Sequence, residues 1–436
     1  MSRFLFSLCV TFLLLQLQVF SQNAVKLTSD ARKEVVNAVS KRLIDHYVYA
    51  DTAARMAAYI KLKLKDGKYN GITDPVVFAE QLLADLRSVY ADGHLLIRYD
   101  SRPSNLAQAP ATPNNNDPFR ELKEANFGFQ KVEILPGNIG YLSMLSFRAD
   151  PVYGMETMKG ALRFVQYTNA IIIDLRSNGG GSQETATMLM GFFLDKKILV
   201  ERFYNRYTKE NTDYWTRPDS NFKDLWTKPV YVLTSHKSFS AAEMFAYDMK
   251  ALKRVIIVGE TTGGGAHGQF EADVTNGFTL QVPYWTSINP ITKTNWERVG
   301  VEPDIKTNEN AALETAEKEI FRTLISNAKT STDSFNLAWQ LELLESSNHP
   351  VNIDSLQLKK FVGTYGERTF TFEAGKLHYQ RAGRPKFELE PLTKNRMRGK
   401  NNTYFKIEFI NDANNDVNRI KVYYQDGRVE EASRNL

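Results

Sequence analysis

SFSAAEMFA, residues 238–246, follows the apolar, β-branched run from Val230 to Leu233 and opens an amphipathic helix. Ser240 stands where strand becomes helix. Open α/β sheets gather their chemistry at the carboxyl ends of parallel strands. A helix N-terminus adds free N–H groups and a positive dipole end, both suited to a developing anion. Ser240 is thus well placed for a nucleophile. The same letters also read as a capping box, Ser240-x-x-Glu243, which only starts a helix. Both readings stand until the rest of the chain is considered.

The chain has 436 residues, 42% hydrophobic and 24% charged, an ordinary globular composition with length for two or three domains. Its net charge of +5 is spread among mixed charges without a Lys/Arg block, which argues against a nucleic-acid partner. Arg3, an apolar run from Phe4 to Phe20 and the small residue Ser21 predict a signal peptide over residues 1–21, cut near Ser21–Gln22. The expected location is outside the cell or in the periplasm and cell envelope, with no stable membrane span after cleavage. Cys9, the single cysteine, falls within that leader, so the mature chain is expected to have no disulfide, thiol nucleophile or zinc–thiolate site.

Residues 23–98 read as an N-terminal helical domain. Val35, Val36, Val39, Leu43 and Ile44 keep close to a 3.6-residue period, and further helices fit Ala53 to Leu64 and Pro75 to Val89. The domain ends in YADGHLLIRYD, residues 90–100, and residues 99–125 are a linker rich in Pro, Asn and Ala. Residues 126–330 form the core. AIIIDL (170–175), VYVLT (230–234) and RVIIVG (254–259) are runs of the buried parallel kind, each joined to the next through a helical segment. Thr275-Asn276-Gly277 marks a hairpin. A helical connector over 331–354 leads to 355–436, where alternating patterns predict a small antiparallel β module.

Other stretches bear on Ser240. Gly179-Gly180-Gly181 also ends a buried strand, and glycine there lets backbone approach a ligand closely. The N–H groups of Gly180 and Ala241 can together hold an oxyanion. Neither this run nor Gly263-Gly264-Gly265 is followed by Lys-Ser/Thr, so a phosphate loop is not indicated. A serine nucleophile needs a base. His94, flanked by Asp92, is one candidate; His236 and His267 are others, and a lysine is a further option. Glu297, in WERVGVEPDI (296–305), is a candidate orienting carboxylate.

AIIIDLRSNGGG, SFSAAEMFAYDMKALKRVIIVGETTGGG and VGVEPDI, in this order and spacing, resemble peptidase family S41, the C-terminal-processing and tail-specific proteases. The resemblance covers about residues 127–310, and residues 25–98 look like the helical N-terminal region of its interphotoreceptor-retinoid-binding-protein-like branch. It implies an α/β fold: a crotonase/ClpP-like core with a mainly parallel sheet, between an N-terminal helical bundle and a C-terminal antiparallel β module. It implies Ser240 as nucleophile, and the backbone of Gly180 and Ala241 as oxyanion hole. In the Ser–Lys branch a lysine ends the GExTxGK motif; this chain has Gly265 there, which excludes that dyad. The tricorn-like branch is implied instead, with His94 as base, Glu297 as the tetrad glutamate, and Asp92 as possible support because Gly93 replaces the usual serine. No PDZ-type carboxylate-binding loop is evident.

The expected function is a secreted serine peptidase acting on peptide or protein substrates through a Ser-His-Glu site and an acyl-enzyme, with no metal or cofactor. The alternatives are a non-catalytic protein that binds an apolar ligand on the same fold, and an esterase-like serine hydrolase.

Overall fold

The computed structural model describes residues 26–100, 117, 119–148 and 153–435. The signal peptide and most of the expected linker lie outside the described residues. The described residues form two compact units, residues 26–100 with 269–284, and residues 117–268 with 285–435.

The first unit is built on helices Ser29–His46, Ala50–Lys65 and Pro75–Val89. Thr28 caps the first, its hydroxyl oxygen accepting from the Ala31 N–H at 3.1 Å. Asp74 caps the third by accepting from the Val76 and Val77 N–H groups, and Pro75 fits the first turn, where its missing N–H costs nothing. Val35, Val39 and Leu43 bury against Met56, Ile60, Phe78 and Leu82. Strand Leu96–Tyr99 pairs antiparallel with Phe278–Gln281, and Phe278, Leu280 and Val282 enter the same core. Residues 269–284, expected within the core domain, thus belong with the N-terminal helices. The reason is their alternation: one face of the strand is apolar, and the helices supply the surface that buries it.

The second unit holds a six-stranded sheet. Its order is Ile305–Lys306, Ile256–Gly259, Val230–Thr234, Ala170–Asp174, Ile139–Met144, Phe129–Leu135, parallel except for the last pair. Ile171, Ile173 and Leu175 face helices Tyr153–Val165 and Ala241–Ala251 through Leu162, Met244 and Phe245. Ala170 and Ile172 face helix Ala312–Ser326 through Ala316, Ile320 and Phe321. Both faces are covered, which is why the strands are uninterrupted apolar runs. Strands Leu199–Asn205 and Glu210–Trp215 form a hairpin that the sequence pattern did not announce, and residues 202–205 pair with 285–288.

Helix Ser331–Asn348 leads into eight strands in sequential antiparallel order from Gly363–Tyr365 to Val429–Ser433. A bridge between Tyr365 and Arg434 brings the last strand beside the first, giving a near-barrel filled by Phe361, Phe370, Ile407 and Phe409. Among the described residues no helix is long and apolar enough to cross a membrane.

The hairpin turn Asn276-Gly277 has φ of 53° and 80°, the paired left-handed geometry of a tight hairpin. A Cβ on Gly277 would meet the Asp100 carbonyl oxygen at 2.7 Å. Gly277→Ala is therefore expected to lower stability by about 1–2 kcal/mol. Denaturant melts measure this, and hydrogen exchange should show the loss first in strand Leu96–Tyr99.

Candidate active site

The turn that leads to Ser240 is sewn to the neighbouring strand end. Ser235 Oγ donates to the Arg176 carbonyl at 2.5 Å, and Ser238 Oγ donates to the Leu175 carbonyl at 2.7 Å. The Phe239 N–H donates to the Asn178 carbonyl at 3.0 Å. The two loops that leave adjacent parallel strands, 175–181 and 235–240, therefore move as one piece.

Ser240 has φ 56° and ψ −120°. That is a costly conformation for a residue with a side chain, of order 1–3 kcal/mol, and it persists only where the surroundings enforce it. A sharp, strained strand-to-helix turn is how α/β hydrolases expose a serine nucleophile. Gly180 abuts it: a Cβ built there would lie 2.7 Å from Ser240 Cβ. Ala241, the first residue of helix Ala241–Ala251, has no intrahelical acceptor for its N–H. The Gly180 N–H donates to Asn178 Oδ1 at 2.9 Å, so it must exchange that partner before it can serve an oxyanion.

Glu243 enforces the turn. It is fully buried. Its Oε2 accepts from the N–H groups of Ser240 at 2.9 Å and Gly265 at 2.8 Å. Its Oε1 accepts from the Thr262 hydroxyl at 2.5 Å and the Gly264 N–H at 2.6 Å. Burial pushes its pKa up, and the four hydrogen bonds pull the other way. The ionised form is the one that uses all four donors. The capping-box pairing of Glu243 with the Ser240 N–H is therefore real, and it is one arm of a larger clasp. Gly265, where a base lysine would stand in the Ser–Lys branch, contributes its N–H to that clasp.

His267 and Trp296 line a small pocket with Ser240, Met244 and Phe203. The His267 side chain has no exposed surface, and its Nδ1 lies 3.6 Å from Glu297 Oε2. That same oxygen accepts from the Ala266 N–H at 2.8 Å, while the Glu297 N–H donates to Asn295 Oδ1 at 2.9 Å. Trp296 Nε1 donates to the Gly265 carbonyl at 2.8 Å, tying this loop to the Glu243 clasp. His236 is 68% exposed at its side chain, and its Nδ1 lies 3.2 Å from Glu260 Oε2.

His94 belongs to the first unit, between helix Pro75–Val89 and strand Leu96–Tyr99. Asp92 fixes its backbone: Oδ1 accepts from the His94 N–H at 2.9 Å and Oδ2 from the Tyr47 hydroxyl at 2.8 Å. His94 and Asp92 are both buried. Asp92 shapes the turn that presents His94.

Residues 138–307 match peptidase family S41, and residues 21–136 match the N-terminal domain of that family in eukaryotic interphotoreceptor-retinoid-binding proteins. Residues 138–307 thus carry a peptidase family S41 domain. It is 29% identical over 180 residues to carboxyl-terminal-processing peptidase 2, chloroplastic, of Arabidopsis thaliana, covering 39% of this chain and 33% of that protein. To the carboxy-terminal processing protease CtpA of Bacillus subtilis it is 27% identical over 241 residues, covering 53% and 47%. The chain thus spans about half or less of these relatives. Among solved structures, the photosystem II D1 C-terminal processing protease aligns with a TM-score of 0.40 at 15% identity, covering 64% of this chain and 94% of that one.

Asn178, Thr262 and the Ser235/Ser238 pair were not singled out from sequence. The signal was the small polar residues flanking each glycine-rich strand end, where they tie loop to loop. In Glu243→Gln the amide nitrogen would face two donors where an oxygen now accepts both. A loss of about 2–4 kcal/mol is expected, with Ser240 labelling by a fluorophosphonate falling further than the melting temperature alone explains. A variant that melts and labels like the wild type would contradict the clasp.

Proposed function

We propose that the protein is a serine peptidase in which Ser240 attacks a peptide carbonyl. The observation that carries this reading is the strained Ser240 backbone, held at a helix N-terminus against Gly180 by the buried Glu243. A fold that only bound an apolar ligand would have no use for that strain. A base takes the Oγ proton as Oγ bonds to the carbonyl carbon. The N–H groups of Ala241 and Gly180 receive the oxyanion, the latter after release from Asn178. The protonated base then gives its proton to the leaving amine, and water hydrolyses the acyl-enzyme by the same route in reverse. No step calls for a metal or organic cofactor.

The base is His94 and its orienting carboxylate is Glu297, by their correspondence to the tricorn-like pattern. A second reading makes His267 the base, and a specific observation favours it: it shares the Ser240 pocket and lies 3.6 Å from Glu297. The leader points to an exported protein acting on peptides or proteins in the cell envelope or outside the cell.

Fluorophosphonate labelling and peptide hydrolysis test the assignment together. Wild type should label and Ser240→Ala should not; equal labelling would remove Ser240 as nucleophile. His94→Ala is expected to lower kcat by at least about a hundredfold while His267→Ala retains most of it. The opposite pattern would transfer the base to His267. An ester-only substrate profile would replace the peptidase reading with an esterase.

A further inference from the structure

The helix that begins at Ser240 carries a second buried acid two turns on. Asp248 has no exposed surface, and neither does Glu201 on strand Leu199–Asn205. Asp248 Oδ1 accepts from Asn289 Nδ2 at 2.8 Å, and Glu201 Oε1 accepts from the Arg202 N–H at 3.1 Å. The other oxygen of each, Asp248 Oδ2 and Glu201 Oε2, is buried without a hydrogen-bond donor among the described residues, as is Ser287 Oγ beside them. The Arg202 guanidinium is turned to Asp213 in a two-bond pair. Tyr247 also faces the pair, and burial first and then the two acids hold its phenol above its ordinary range while it bonds Thr292.

Glu201 and Asp248 lie within hydrogen-bonding reach of each other, and both are fully buried. Two such carboxyl groups, out of water and without a cation beside them, cannot both be ionised. Burial pushes Glu201 up to about 7 against the pull of its hydrogen-bond partners, the Arg202 N–H, Ser287 and Asp248. Burial first, and then the Glu201 charge, push Asp248 well above the carboxylate range. A proton on one supplies the missing donor for the other, in a charge-assisted O–H···O bond.

We propose that Glu201 and Asp248 share a proton, and that this carboxyl–carboxylate bond is a positioning element that clamps the Ser240 helix to strand Leu199–Asn205. Asn289 closes the clamp from the side, since its Nδ2 also reaches the Val200 carbonyl at 3.2 Å. Neither acid touches substrate; both act through the helix whose first turn carries Ser240 and the Ala241 N–H. The role in acylation rests on reading Ser240 as the nucleophile, whereas the shared proton does not.

The sign follows from the raised proton affinity. The pair's contribution is complete below the ordinary carboxylate range and is lost as pH rises through its folded value. At alkaline pH the bond becomes a repulsion between buried charges. Asp248→Asn replaces the shared proton by a permanent N–H: the amide oxygen keeps Asn289, and the amide nitrogen donates to an ionised Glu201.

The test is the melting temperature and the fluorophosphonate labelling rate of the full chain between about pH 4 and pH 10. Wild type should lose melting temperature progressively from about pH 5 upward until the shared proton is gone, and labelling should fall by about threefold or more at the alkaline end even though a base is then unprotonated. In Asp248→Asn both losses should be largely abolished, since the amide N–H does not titrate, with Glu201→Gln as the second variant if the first does not fold. A wild-type melting temperature that is flat over this range, or an alkaline limb unchanged in a folded variant, would overturn the shared proton. Absent labelling at every pH, with the melting shift intact, would sink the nucleophile and leave the shared proton standing.

Discussion

A single buried carboxylate, that of Glu243, carries the arrangement around Ser240. Its two oxygens gather four donors, one from Ser240 and three from the loop 262–265. Each donor would otherwise be a buried polar group without a partner, at a cost of about 1–3 kcal/mol. The charge itself would be costly to bury without them. Carboxylate and donors therefore depend on one another, and the loop and the helix start are fixed as a consequence.

That mutual dependence explains how a serine is kept at φ 56° and ψ −120°. The strain is local, and what opposes it is distributed. Ser235 and Ser238 tie their turn to the strand end at 175–176, Phe239 is held by the Asn178 carbonyl, and Gly180 leaves room where any side chain would strike Ser240. On the far side, Trp296 bonds the Gly265 carbonyl, so the segment bearing Glu297 is set by the same loop that Glu243 grips. The backbone N–H of Gly265 donates to Glu243 as well, so the loop is gripped through its main chain.

Much of this was legible in the sequence because buried parallel strands leave an unbroken apolar trace. AIIIDL, VYVLT and RVIIVG lie where their composition put them, and Asn276-Gly277 announced its hairpin through the one conformation those residues favour. Ser240 and Gly180 could be placed at strand ends, and hence near each other, from topology alone. Three features were not legible. The hairpin 199–215 has a largely exposed second strand, ENTDYW, whose polar composition hides it. The pairing of residues 278–281 with 96–99 is a contact between distant segments that no local pattern encodes. The partners of Glu243 lie about twenty residues downstream, and nothing in S-x-x-E distinguishes a clasp from a helix cap.

The claim on which everything else turns is that this strained turn makes Ser240 uniquely reactive. Peptide mapping of the intact protein after exposure to a fluorophosphonate tests it directly, because any serine in the chain can report. One phosphonyl adduct is expected, on the peptide containing Ser240, lost when the protein is unfolded beforehand. An adduct on another serine, or no adduct on the folded protein, would contradict it.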